Sequence, residues 1–162
     1  MDAFVQWLQA TSLSQAIVYQ TWIWPLAETI HFVGLTLVIG VAGLFDLRLM
    51  GFFRGASVAA VRELMPFALL GFLLNLFTGL IFLIGHPEQY VHNPSWWLKV
   101  AFLATAGANA LVFEVAVAGR TIDLPPGVDT PRSAKVVGLV SLIAWFGVLY
   151  WGRMLPFIGD AY

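Results

Sequence analysis

Residues 64–85 read LMPFALLGFLLNLFTGLIFLIG and contain no ionisable side chain. A helix needs about 20 predominantly apolar residues to cross a hydrocarbon core of about 30 Å. The run therefore predicts a transmembrane helix. The break Gly85-His86-Pro87-Glu88 that follows it predicts the end of that helix, because glycine and proline together disfavour its continuation.

Three further windows of this kind flank the first, at about residues 24–45, 96–119 and 136–157. The chain of 162 residues is 60% hydrophobic and 10% charged, with a mean hydropathy of +0.84, whereas a soluble domain carries about 25% charged residues. We therefore expect an all-α protein: an integral membrane four-helix bundle that occupies residues 1–162 as a single domain in a lipid bilayer. The first helix has the sequence to continue as far as Phe53.

The N-terminal segment, residues 1–22, mixes aromatic and aliphatic side chains with Gln, Ser and Thr. It is too polar to span a membrane but suits a short helix that lies in the interface. Ser12 and Gln15 have the spacing of a capping box. The segment lacks the positive region of a secretory signal, so we expect it to remain in the mature protein.

The charges and the absence of cysteine limit the orientation, partners and metal ligands that this protein can have. Most of the eight positive charges fall in the first and third loops, as Arg48, Arg54, Arg62, Arg120, Arg132 and Lys135. The positive-inside rule then predicts that the first and third loops are cytoplasmic and that both termini and the loop 86–95 face the periplasm or cell exterior. We expect a bacterial inner-membrane protein. A net charge of -1 offers no basic field for nucleic acid. Without cysteine, any metal must be held by His, Met, carboxylate or backbone oxygen.

The side chains suited to chemistry gather at one end of this topology. They are Glu28, His31, His86, His92, Lys99 and Arg153, all expected in the outer third of the bilayer or above it. An ionisable side chain within a span costs about 2.5 to 3.5 kcal/mol and normally faces the bundle interior or a cavity. The cluster is therefore the main indication of a functional site.

In the functional interpretation, His31 is an axial ligand of b-haem or a proton carrier, because cofactor sites in helix bundles use inward side chains on facing helices. Gly34 would leave room for a flat ring, and His86 or His92 would supply a second ligand. Lys99 and Arg153 suit haem propionates, an anionic quinol or a porphyrin. Asn75 lies on a helical stripe with Gly71 and Thr78 that is expected to face another helix and the site.

Structural alternatives stay open for each of these residues. Lys99 and Arg153 are close enough to the interface to snorkel, and His31 can form a structural hydrogen bond to Asn75, Thr78 or a carbonyl. His86 and His92 can be ordinary loop residues. His31, His86, His92 and Glu28 also offer the ligands of a non-haem metal site. Asp46 and Glu114 are expected to pair with Arg48 or Arg120, and the Ala/Gly-rich stretch 104–110 is expected to be tightly packed.

Several stretches resemble a bacterial family of small four-helix membrane proteins, a domain of unknown function. They are Glu28-Thr29-Ile30-His31-Phe32-Val33-Gly34, Asp46-Leu47-Arg48-Leu49-Met50-Gly51, residues 66–79, 90–99 and 106–110, and Gly152-Arg153. A looser similarity reaches the membrane haem-binding protoporphyrinogen oxidases, through His31, Gly34, Ala42-Gly43-Leu44-Phe45, Arg48, Trp96 or Trp97, and Lys99. This second resemblance implies haem binding. The chain departs from it at Asn109, where that family carries a further His.

These observations favour a redox-type membrane protein that binds b-haem or a quinone near the periplasmic face, with His31 essential. One alternative is a noncatalytic subunit or assembly partner of a larger membrane complex, or a homo-oligomer, with no cofactor. Short loops without a soluble domain are typical of such subunits. A further alternative is a metal-handling or transport protein, although no inverted repeat or broken helix of the transporter type is evident.

Overall fold

The computed structural model describes residues 2–158 and contains four long apolar helices with no strand among those residues. In chain order the helices are α1 (Asp2–Gln9), α2 (Ser12–Tyr19), α3 (Ile23–Leu49), α4 (Val58–Arg62), α5 (Met65–Gly85), α6 (Pro87–Val91), α7 (Pro94–Val112) and α8 (Arg132–Met154). A π-helical turn, Phe113–Val117, and a 3₁₀ turn, Ala118–Arg120, extend α7, and a second 3₁₀ turn, Leu155–Phe157, follows α8. The all-α prediction is confirmed.

Four segments are long and apolar enough to cross a membrane, namely Ile23–Leu49, Val58–Gly85, Pro94–Arg120 and Arg132–Phe157. Many of their large apolar side chains are exposed on the outer surface of the bundle, as Phe77 and Phe146 are. Because a multi-pass protein places such faces against lipid, these exposed residues need no other partner. The first membrane span, α3, ends at Leu49 and does not continue to Phe53, whose backbone has a φ of 48°.

The four spans pack in the spatial order α5, α3, α8, α7. The most extensive pairing joins α3 to α5, followed by α7 to α8 and α3 to α8, whereas α5 and α7 are not close neighbours in the described part of the chain. Small residues permit the closest approaches: Gly34 meets Gly71 between α3 and α5, and Gly138 of α8 lies against the carbonyl of Asp46 in α3. This is the usual way that membrane helices pack without a hydrophobic driving force.

The two ends of the bundle differ in composition. We call the end formed by residues 2–22 and 86–93 the histidine end, and the end formed by residues 50–64 and 118–132 the basic end. At the histidine end α1 and α2 pack against α5 and α6, and Gln9 donates a hydrogen bond of 2.6 Å to Glu88. Two short helices therefore stand where the sequence predicted one, with Thr11 as the N-cap of the second.

Candidate functional site

His31 lies in α3 and faces α5, where its Nδ1 is 2.7 Å from the Thr78 hydroxyl oxygen. Thr78 is fully buried and donates its own proton to the Leu74 carbonyl at 2.7 Å. Because a hydroxyl has a single proton, its oxygen is left to accept, so Nδ1 of His31 is the donor. In the neutral imidazole the lone pair is then on Nε2, which is the atom available to a ligand.

A line of aromatic rings runs from His31 towards the histidine end. Phe82 lies 5.5 Å from His31 between ring centroids, Trp24 lies 4.9 Å from Phe82, and His86 lies 5.2 Å from Trp24. The two imidazoles are therefore separated by two rings. His86 instead contacts Glu88, with 3.4 Å between its Nδ1 and the carboxylate oxygen.

His92 is far more exposed than His31 and contacts the N-terminal helix. Its Nε2 lies 3.3 Å from a carboxylate oxygen of Asp2. The structure therefore does not bring the three histidines together. Among residues 2–158 no group of three or more His, Cys, Asp or Glu side chains is arranged to hold a metal ion.

Lys99 lies near the start of α7, at the end of the bundle next to the histidine end. Its aliphatic carbons and its Nζ pack beside Gly152 of α8. Within residues 2–158, Lys99 has no acidic side chain at salt-bridge distance. An intramembrane ammonium group without a carboxylate partner is costly unless an anion or an electronegative oxygen accompanies it.

Arg153 and Glu28, the other charged residues expected at the site, lie closer to the surface. Arg153 is exposed, with its guanidinium 5.1 Å from the centroid of the Phe157 ring. Glu28 is exposed and accepts a hydrogen bond of 3.1 Å from the Trp24 indole. Burial, together with the nearby Glu28 carboxylate, raises the pKa of Tyr90 to about 12.

Gly34 and Asn75 serve the contact between α3 and α5. A side chain at Gly34 would meet the Gly71 carbonyl at 2.7 Å and the Asn75 amide at 2.5 Å. Asn75 donates to the Gly71 carbonyl at 2.9 Å, and its own amide oxygen is buried without a partner. The space beside Gly34 is thus filled by α5, and the expectation of room for a flat ring at this glycine is wrong.

The ion pairs expected at the basic end are also wrong. Glu114 pairs with Arg62, which donates to both carboxylate oxygens at 3.0 and 2.7 Å. Arg48 is fully buried and donates to the carbonyls of Ala56 and Val128 at 2.7 and 3.3 Å. Asp46 is 4% exposed, and one of its carboxylate oxygens has no hydrogen-bond partner.

Asp129 lies in the loop that leads into α8, outside the spans. It accepts a hydrogen bond of 2.7 Å from Lys135 and lies 3.3 Å from Arg54. The Lys135 hydrogen bond, with the charges of Arg54 and Lys135, holds the pKa of the Asp129 carboxyl below its usual range. Basic residues of both loops are thereby joined by one carboxylate.

The Ala/Gly-rich stretch 104–110 departs from its expected packing. Ala106 is buried, whereas Ala104, Thr105 and Ala108 are exposed on the outer surface of α7. The expectation of a tightly packed stretch is wrong, because within residues 2–158 the one helix that contacts α7 extensively is α8.

Two residues near the site were missed by sequence reasoning. Phe82 contacts His31 but is one phenylalanine among 13 in the chain. Ser95 lies one turn before Lys99, is fully buried, and has a hydroxyl without a partner. Its position four residues from Lys99 was the signal that could have placed it on the same helix face.

Fold and site together define a multi-pass membrane protein with a histidine and a lysine inside its spans, both in the half of the bundle next to the histidine end. Comparisons with protein-family models, curated proteins and solved structures found no match.

Proposed function

We propose that the chain is a redox-type membrane protein that binds a quinol in the region between His31 and Lys99. The observation that carries the proposal is the His31–Thr78 hydrogen bond, which holds Nδ1 as a donor and leaves the Nε2 lone pair to accept a quinol hydroxyl. A fixed imidazole beside a bound hydroxyl is the arrangement that proton transfer requires. Lys99, which has no acidic side chain at salt-bridge distance within residues 2–158, would supply positive charge beside the quinol oxygen as that oxygen loses its proton.

The surroundings support a flat aromatic ligand. Phe82 borders His31 on the same side as Trp24, and Ser95 offers an unpartnered hydroxyl one turn from Lys99. On the proposed orientation, with both termini in the periplasm of a bacterial inner membrane, this site lies in the outer half of the bilayer. A membrane-dissolved quinol reaches that depth without entering water.

The test is binding of decylubiquinol to the purified protein in phosphatidylcholine nanodiscs. We expect saturable binding that falls at least tenfold in His31→Ala. His92→Ala is the matched control, since His92 lies at the surface against Asp2, and it should leave binding unchanged. Equal binding by the wild type and His31→Ala would reject the site.

A b-haem is a second candidate for the same residues, favoured by the same hydrogen bond. A ligating histidine normally donates its other ring N–H to an oxygen, as Nδ1 of His31 does to Thr78. His31 would hold the iron and Lys99 a propionate, and haem would supply one-electron redox chemistry. A second axial ligand from His86 stays a prediction; in the structure the neighbours of His86 are Trp24 and Glu88.

An oxidised-minus-reduced absorption spectrum separates the two candidates. A Soret shift with alpha and beta bands that is lost in His31→Ala and retained in His86→Ala would support haem at His31. A colourless wild type that binds decylubiquinol would support the quinol alone.

A subunit role rests on a different observation, the exposed small-residue face of α7. Ala101, Ala104, Thr105 and Ala108 recur on it at helical spacing, and such faces allow a second membrane helix to approach closely. The proposal is that this face contacts another span, from a second copy or another subunit. The test of this contact is the mass of the native assembly in mild detergent. Ala104→Phe should dissociate the assembly, whereas Leu139→Phe on an exposed face of α8 should not.

A further inference from the structure

A cavity of about 810 Å³ lies in the half of the bundle next to the basic end, away from His31. All four spans contribute to its walls, which are mainly apolar and include Phe45, Phe72, Phe113 and Trp145. This volume falls within the 300 to 1,000 Å³ that is usual for small-molecule sites. The quinol or haem site proposed above uses none of these residues.

Asp46 is the polar residue that distinguishes this cavity from an apolar groove. It lines the wall from α3, is 96% shielded from solvent, and has a carboxylate oxygen with no hydrogen-bond partner. Arg48 points elsewhere, to the carbonyls of two loops. A buried carboxylate without a cation is costly, so a ligand that supplies positive charge or a donor would stabilise it.

The other charged residues of the wall leave the balance negative. Glu63, Arg62 and Glu114 lie at the cavity's basic end, and the bidentate contact between Arg62 and Glu114 neutralises that pair. Glu63 forms no ion pair within residues 2–158. Two carboxyl groups, of Asp46 and Glu63, therefore remain to attract a cation.

The cavity is accessible from the membrane, because α5 and α7 both line it without packing against each other. The Arg62–Glu114 pair joins α4 to the π-helical turn after α7 and so bridges the gap at the basic end. A ligand that partitions into lipid would enter sideways between α5 and α7. This route favours a hydrophobic body over a hydrated ion.

We propose that this cavity binds a lipophilic organic cation, with Asp46 as the counter-charge and the aromatic wall around the hydrophobic body. The combination of a lipid-accessible apolar wall, a buried unpartnered carboxylate and a negative charge balance is what such a molecule complements. Aromatic faces add favourable cation–π contacts with a desolvated cation.

The experiment measures binding of tetraphenylphosphonium to the full chain in phosphatidylcholine nanodiscs, with empty discs subtracted. Tetraphenylborate is the probe of matched shape and opposite charge. We expect saturable binding of one tetraphenylphosphonium per chain and at least tenfold weaker binding of tetraphenylborate. Asp46→Asn should weaken tetraphenylphosphonium binding at least tenfold, whereas Asp123→Asn, the same change in the exposed loop, should not.

A second variant keeps the proposal testable if Asp46→Asn fails to fold. Ala110→Trp fills the cavity from α7 while Asp46 remains, and it should abolish tetraphenylphosphonium binding. Binding that survives this variant, or that is equal for the two probes, would overturn the proposal. His31→Ala should leave tetraphenylphosphonium binding unchanged, so failure here is distinguishable from failure of the quinol site.

Discussion

At the scale of single residues, the hydroxyl of Thr78 determines the chemistry that His31 can perform. Its proton goes to the Leu74 carbonyl, one helical turn earlier in α5, so its oxygen accepts from His31 Nδ1. The tautomer of a histidine is set by the partner of the other ring nitrogen. Thr78 on α5 thus leaves the lone pair of the neutral imidazole on Nε2.

This arrangement predicts a single tautomer of His31, with the proton on Nδ1. In protein labelled with ¹⁵N-histidine, the His31 signals should show a protonated Nδ1 and an unprotonated Nε2. Thr78→Val should abolish that preference, because valine offers no acceptor. Thr105→Val is the control, since Thr105 donates only to the Ala101 carbonyl of its own helix. Protonation at Nε2 in the wild type would contradict the assignment.

Arg48 gives a second prediction at this scale. Its fully buried guanidinium holds the carbonyls of Ala56 and Val128, one in each loop of the basic end. Arg48→Met should cost about 2 kcal/mol or more, because buried carbonyls lose charged donors. Arg54→Met removes a solvent-exposed ion pair with Asp129 and an exposed hydrogen bond to the Gly51 carbonyl and should cost about 1 kcal/mol or less. The thermal unfolding midpoints of Arg48→Met and Arg54→Met are compared. Equal midpoints would show that the hydrogen bonds from Arg48 to the two loops do not stabilise the protein.

The sequence predicted the site only in part. His31, Lys99 and the alternative of a His31–Thr78 hydrogen bond followed from depth and helical spacing, because these are local properties of a helix. The partners of Asp46, Arg48 and Glu114 did not follow, because they depend on which loops fold over the basic end. Arg48, for example, is held by a carbonyl 80 residues away, which no spacing rule can indicate.

At the scale of elements, the closest contact between α3 and α5 is a crossing of two glycines. A Cβ at Gly71 would lie 2.5 Å from the Gly34 carbonyl and 3.0 Å from the Val38 backbone nitrogen. Backbone atoms cannot move aside as a flexible side chain can. The stripe of Gly71, Asn75 and Thr78 was correctly expected to face another helix, but its partner, α3, appears only in three dimensions.

Gly71→Ala should therefore destabilise the protein by about 1 to 3 kcal/mol, the usual cost of overpacking. Gly79→Ala is a matched control in the same helix, since a Cβ there meets nothing within 4 Å and alanine has the higher helix propensity. The comparison uses unfolding midpoints in the same detergent. If both variants unfold at the wild-type temperature, the two helices do not cross at these glycines.

At the scale of the whole molecule, four spans in the order α5, α3, α8, α7 leave α5 and α7 apart. Hydropathy predicted the number of spans and their approximate limits, since each depends on its own residues. It could not predict that order, because it is set by small residues such as Gly34 and Gly138 that meet backbone on other helices. The cavity near Asp46 exists because this spatial order leaves α5 and α7 apart. The sequence therefore did not predict the cavity.

The orientation of the bundle gives the last prediction. Because Lys and Arg concentrate in the basic end, that end should be cytoplasmic and the histidine end periplasmic. The chain contains no cysteine, so single-cysteine variants report the topology without background. A membrane-impermeant maleimide applied to intact spheroplasts should label Thr21→Cys, at the histidine end, and not Ser133→Cys, at the start of α8. In inverted vesicles the maleimide should label Ser133→Cys and not Thr21→Cys. Ile143→Cys, on the lipid-facing side of α8, is the control and should stay unlabelled in spheroplasts and in inverted vesicles. The reverse result would place the His31 site in the cytoplasmic half of the bilayer. Labelling of both positions from one side would mean that an even number of segments crosses the membrane between Thr21 and Ser133, and not the three spans described.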